Sequence, residues 1–316
     1  MSGFALYASF IGIQIIRHWD LQSGSEQQLM LERKTYLVST ILSCLLVFEI
    51  LGLFLFVYTA DHIHPLFVGA MCAAGTLQVN EYGYPALLVK MFTVTLCGVW
   101  MILNYTDNKG FDYPLIRQKY QVLLWVTGSL LVETWLQSRY FMEMEPHVIT
   151  SCCGSLFSTG TQGIAGELAS LPPQGTKIAF YLGMALTLGA GVRLLVTGRG
   201  AGVFSLLAGG AMVLSLISMI SFIAVHYYEL PTHHCPFCIL QGEYHGIGYP
   251  LYVSLFLGGV SGVAVGAIQR LKGPASLAEV IPALQSRLAW VSTAAYLAFV
   301  FLATYPLVFS GFVLET

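Results

Sequence analysis

The residues of this chain whose types and spacing could do chemistry gather in three short polar intervals. The densest is His233-His234-Cys235-Pro236-Phe237-Cys238, with Glu243 and His245 close behind. Two thiols at CxxC spacing can close a redox-active disulfide, whose thiolate a neighbouring imidazolium stabilises. They can equally supply half of a tetrahedral metal site. Glu229, Glu243 and Tyr244 add oxygen acceptors that could ligate or orient the histidines. A second interval reads Asp61-His62-Ile63-His64-Pro65 and runs on to Met71-Cys72. An HxH pair in extended chain puts both imidazoles on one face, where they can grip one metal. The third holds Met142-Glu143-Met144-Glu145-Pro146-His147 and then Ser151-Cys152-Cys153-Gly154. Thioether, imidazole and thiolate together form the ligand set that selects a soft ion such as Cu(I). Adjacent Cα atoms sit about 3.8 Å apart, below the disulfide range of roughly 4.4–6.8 Å. Cys152 and Cys153 therefore suit metal ligation, or separate partners, better than a bridge to each other.

The elements that must position these groups are apolar. Of 316 residues, 56% are hydrophobic and 9% charged, with a mean hydropathy of +0.72. A soluble domain carries about 25% charged residues, so the composition predicts an all-α polytopic integral membrane protein whose partner is the lipid bilayer. A span needs about 20 apolar residues. Eight candidates satisfy this: 2–16, 36–58, 85–104, 121–138, 176–196, 202–227, 248–268 and 288–311, taken as one transmembrane helical domain over 1–316. The first is short enough to be tilted, interfacial or packed in a larger assembly. A net charge of −2 argues against a nucleic-acid partner. Nothing resembles a cleaved signal peptide, because the first charge, Arg17, follows the first apolar run. The short cytoplasmic loops leave no room for a nucleotide-binding domain.

Lys and Arg set the expected orientation. Arg17, Arg33, Lys34, Lys109, Arg117, Lys119, Arg193, Arg199, Arg270, Lys272 and Arg287 fall on one side, against Lys90, Arg139 and Lys177 on the other. Eleven against three places the basic loops in the cytoplasm. The opposite loops, 59–84, 139–175 and 228–247, then face outward, in a bacterial inner membrane towards the periplasm. They hold five of the seven cysteines, Cys72, Cys152, Cys153, Cys235 and Cys238, and six of the eight histidines, with His226 at the outer end of its helix. An odd number of outer cysteines leaves one thiol over under any all-disulfide scheme.

Inside the spans, Glu49 and Glu133 interrupt apolar runs. An ionisable group there is costly and faces the bundle interior or a wet cavity, so the pair marks either structural carboxyls or an intramembrane proton or cation path. Glycines at 258, 259, 262 and 266 predict close helix packing. The apolar stretch Pro65–Leu77 could re-enter the membrane where protein buries it. Leu277–Leu288 fits a cytoplasmic amphipathic helix interrupted at Pro282.

A Cys-Pro-Phe-Cys at the outer start of a helix resembles the quinone-coupled disulfide-generating membrane enzymes, including the vitamin K epoxide reductase type. The likeness covers about ten residues, and this chain has twice the helices and a ten-residue polar segment, 239–248, before the next span. On that resemblance Cys235 and Cys238 are the catalytic, quinone-proximal pair, and loop cysteines relay electrons to them.

Three functional expectations arise. The first is an outer-face site that binds or passes on a soft ion, copper or zinc, drawing on His62, His64, Cys72, Met142, Met144, His147, Cys152, Cys153, His233, His234, Cys235, Cys238 and His245. The second is a thiol–disulfide oxidoreductase that passes electrons from a periplasmic partner thiol to quinone. The third is a structural or electron-transfer subunit working with other membrane subunits. Haem lacks an axial pair, since no two histidines lie deep in facing spans, and His226 is the nearest.

Overall fold

A computed structural model describes residues 1–110, 112–145, 149–150, 171–271 and 273–312. Their regular structure is helical, and among the described residues extended pairing is limited to an isolated bridge between Val68 and Ile149. In chain order the helices are α1 (Ser2–His18), α2 (Glu26–His62), α3 (Ala73–Leu77), α4 (Gly83–Asp107) and α5 (Ile116–Met142). Next come α6 (Pro173–Thr197), α7 (Ala201–Ser218), a π-helical segment (Met219–Ile223) and α8 (Ala224–Tyr228). The last two are α9 (Gly248–Gln269) and α10 (Val280–Phe309).

Among the described residues, six helical segments are long and apolar enough to cross a membrane: Glu26–Leu66, Gly83–Asp107, Pro173–Thr197, Ala201–Tyr228, Gly248–Gln269 and Val280–Phe309. The two other expected spans fall in helices of different character. Residues 2–16 lie in α1, which has 17 residues, and 121–138 lie in α5, which carries Arg117, Lys119, Glu133 and Arg139. Pro282 does not interrupt a helix as the sequence suggested. It sits in the first turn of α10, where proline's missing N–H has no helical partner to lose.

The chain divides into two compact units. One comprises Met1–Phe56, Glu81–Glu143 and Ala267–Gln285, and the other Val57–Asn80, Met144–Gly266 and Ser286–Thr316.

In the first unit α5 packs against α1 and α4. Ala5, Ala8, Ile11 and Ile15 of α1 and Leu123, Val126 and Leu130 of α5 recur at helical spacing and are buried together with Leu42, Leu46 and Trp100. Gly12 permits the α1–α5 approach, since a Cβ there would lie 2.7 Å from Tyr120 Cδ1. The α4–α5 connection is held by Asp107. One carboxylate oxygen accepts the Leu115 N–H at 2.9 Å, and the other pairs with the fully buried Lys119 Nζ at 2.7 Å.

In the second unit the expected glycine packing is present. Cβ atoms built on Gly259, Gly262 and Gly266 of α9 would come within 2.4 Å of Met212, Ala208 and Ser205 of α7. Small residues spaced a turn apart let these helices meet at backbone distance, the means of association available in lipid. Gly198, at φ +65°, ends α6 in the left-handed conformation and turns the chain into α7. Large apolar side chains such as Trp125 of the first unit and Leu206 of the second remain exposed, at 75% and 78%. Such outward faces fit lipid contact in an integral membrane protein.

Candidate metal centre

Three cysteine sulfurs meet in the second unit. The Sγ atoms of Cys72, Cys235 and Cys238 lie within 4.8 Å of one another, and those of Cys72 and Cys235 are 3.7 Å apart although 163 residues separate them in sequence. Tetrahedral ligation with metal–sulfur bonds of about 2.3 Å places sulfurs about 3.8 Å apart. The spacing is thus that of ligands sharing one ion. All three residues are buried, Cys72 and Cys235 completely. The group could hold a metal ion.

Each sulfur owes its place to a local device. The stretch after α2 turns back through a short 3₁₀ turn, His64–Leu66, and leads to α3, whose five residues are all buried. Cys72 is the N-cap residue of α3. Within Pro65–Leu77, α3 is a buried helical turn that delivers one sulfur, while Leu66, Val68 and Met71 are exposed. Asp61, at the end of α2, accepts the Ala73 N–H at 3.0 Å and so satisfies the first turn of α3. Its same oxygen accepts from Gln241 Nε2 at 3.1 Å, and that nitrogen also donates to the Met71 carbonyl at 3.1 Å. Gln241 lies three residues beyond Cys238. One side chain therefore stitches the loop of Cys72 to the loop of the CxxC.

The CxxC loop itself is fixed through its carbonyls. Tyr228 Oη donates to the Cys235 carbonyl at 2.6 Å, and Tyr252 Oη to the Pro236 carbonyl at 2.7 Å. Cys238 opens a 3₁₀ turn, Cys238–Leu240. Gly248 lies so close to that turn that a Cβ there would come within 2.9 Å of the Ile239 carbonyl oxygen. Upstream, the π-helical segment alters the carbonyl register at the end of α7. The Ile220 carbonyl within it bonds to His234 Nδ1 at 2.9 Å. Single π-turns inside helices recur at functional sites. Here the π-turn supplies the anchor for the residue that precedes Cys235.

The histidines separate by role. His233 Nε2 is buried and meets no hydrogen-bond partner among the described atoms. Burial holds the His233 pKa below the usual histidine value, and the Cys72 charge acts in the opposite sense. His233 stands outside the group of three sulfurs within 4.8 Å of one another, but an orphaned imidazole nitrogen two residues before Cys235 is the kind of donor a four-coordinate site would use. His234 is tied by Nδ1 to the backbone. His64 Nδ1 bonds to the Asp61 carbonyl, and His62 stacks on Tyr58 with ring centroids 4.7 Å apart. His245 is exposed in a left-handed turn at φ +55°. Met142 ends α5 at 84% exposure, with Met144 just past it. His147, Cys152 and Cys153 lie outside the described residues, although Thr150, just before them, donates its N–H to the Val68 carbonyl at 2.9 Å.

In the first unit the two expected intramembrane acids share a partner that sequence reasoning assigned elsewhere. Lys90 Nζ bonds Glu49 Oε1 at 2.6 Å and Glu133 Oε1 at 2.7 Å. Lys90 is therefore a buried member of α4 and not an exposed loop charge, and Lys119, counted with the opposite loops, is likewise fully buried against Asp107. The signal was present in the sequence, since Lys90 lies inside an apolar run as isolated as those around Glu49 and Glu133. Asp61, Gln241, Tyr228 and Tyr252 carried no comparable signal, because their role is to fix backbone contributed by distant segments.

No family model, curated protein or solved structure matches this chain.

Proposed function

We propose that this protein binds one soft metal ion, of the Cu(I) or Zn(II) class, through Cys72, Cys235 and Cys238, and passes it to or from a partner on the outer face of the membrane. His233 is the fourth ligand in this reading. The observation that carries it is the convergence of three buried sulfurs at ligand-sharing distance, and the unpartnered ring nitrogen of His233, two residues before Cys235 in sequence, supports it. Thiolates select soft and borderline ions over hard ones. The Lys and Arg distribution supports the outward placement, and exposed His245 fits a peripheral contact for an arriving ion or its carrier. The test is metal content after loading of the purified, reduced protein with Zn(II) or Cu(I), together with the Co(II) absorption spectrum. About one ion per chain and thiolate-to-Co(II) charge-transfer bands are expected, both lost in Cys72→Ser. Metal retention unchanged by that substitution would overturn the reading.

The sulfur contact between Cys72 and Cys235 also favours a second reading, a thiol–disulfide oxidoreductase. The Cys235 and Cys238 thiols would close a disulfide, releasing two protons and two electrons, with a quinone as acceptor. Cys72 would be the exchange partner through a mixed disulfide with Cys235. Thiol trapping separates the two. A CxxC that cycles with added quinone supports the second reading, and one that stays reduced while metal is bound supports the first.

A further inference from the structure

Among the described residues, the first unit contains two buried charge clusters, and they differ in balance. Asp107 and Lys119 form a one-to-one pair, both side chains fully buried. The other cluster sets two carboxylates, Glu49 of α2 and Glu133 of α5, on one ammonium, Lys90 of α4, with every side chain at most 8% exposed. As ions these three groups sum to one negative charge inside a helix bundle where ionised groups are costly.

The hydrogen bonds show where the excess resides. Glu133 Oε1 accepts from Lys90 Nζ at 2.7 Å and from Gln137 Nε2 at 3.1 Å. Glu133 Oε2 is buried and has no hydrogen-bond partner among the described atoms. Because both Oε1 atoms bond one nitrogen, they can be no farther apart than the sum of their two distances to it. From α1, packed on α5, Ser2 Oγ shares a hydrogen bond with Thr134 Oγ1, the neighbour of Glu133. Gly52, one turn beyond Glu49, leaves room for the ammonium, since a Cβ there would lie 3.5 Å from Nζ.

We propose that the Glu49–Lys90–Glu133 triad is a membrane-embedded binding site for one exchangeable proton, shared between its two carboxyl groups. A buried charge without a counter-charge is relieved by protonation. Two carboxyls so close titrate as a pair, with the bound proton belonging to the pair. Asp107, already balanced by Lys119, binds none.

The experiment is carbodiimide labelling of the full-length protein in membranes at neutral pH, since the reagent attacks a carboxyl only in its protonated form, with sites mapped by peptide mass spectrometry. Infrared spectroscopy of the protonated-carboxyl C=O stretch is recorded in parallel. Labelling at Glu49 or Glu133, with Asp107 unlabelled, is expected. Glu133→Gln should abolish labelling at Glu49, and Glu49→Gln should abolish it at Glu133, because either change leaves a balanced pair. The infrared band should vanish in both variants, which keeps the test decisive if the reagent cannot reach the site. A wild-type protein without that band at neutral pH, or a band or label that persists at the remaining glutamate in either variant, would overturn the proposal.

Discussion

Replacing Lys90 by methionine would expose how strongly the first unit depends on its buried ion cluster. The ammonium lies 2.6 and 2.7 Å from the oxygens of its two carboxyl groups and is 5% exposed. At an effective dielectric of about 20, the contact with the ionised carboxylate is worth roughly 6 kcal/mol of Coulomb attraction. Desolvation of the ion pair offsets most of this, and removing one partner from a buried pair costs about 3–5 kcal/mol in practice. At 1.4 kcal/mol per decade, that lowers the folded-to-unfolded ratio by about 10² to 4 × 10³-fold. Methionine keeps the length and apolar stem of lysine, so lost packing contributes little. The triple variant Lys90→Met/Glu49→Gln/Glu133→Gln removes every charge and should recover to within about 1–2 kcal/mol of wild type, since a buried ionic cluster and a neutral replacement are often nearly equivalent. Denaturant titration in detergent, followed by the fluorescence of Trp100, measures both. If Lys90→Met costs less than about 1 kcal/mol, or if the triple variant is no more stable than the single one, charge compensation is not what holds these helices together.

Two further substitutions probe the second unit. Gly262→Ala drives a methyl group to 2.3 Å from Ala208 Cβ and should destabilise by about 1–3 kcal/mol in thermal unfolding. Gly202→Ala, with nothing within 4 Å, should be neutral or stabilising by up to about 1 kcal/mol, and equal effects at the two sites would contradict the packing argument. Tyr228→Phe removes the 2.6 Å bond to the Cys235 carbonyl. A hydrogen bond worth about 0.5–1.5 kcal/mol predicts metal affinity lower by about 2- to 10-fold in chelator competition, and unchanged affinity would mean that the loop geometry does not depend on this tyrosine.

Some of this protein is written in short stretches of sequence. Long apolar runs declare membrane helices because lipid offers the backbone no hydrogen bonds and tolerates few charges. The CxxC declares paired sulfur chemistry because its geometry is local. Glu49 and Glu133 are conspicuous because an acid in an apolar run is costly wherever the helix packs. Contacts between distant segments had no such signature. Cys72 joins Cys235 and Cys238 only because Asp61 and Gln241 tie two loops together. His233 and His234 are adjacent in sequence, yet one ring nitrogen is left orphaned and the other ring is spent on a π-turn carbonyl. Lys90 counts as a topology charge by position alone, and only the helix packing turns it towards both acids. Composition and spacing decide which groups can act and in what medium. Which of them meet depends on how helices dock through small residues and buried polar pairs, and that docking leaves no periodic trace along the chain.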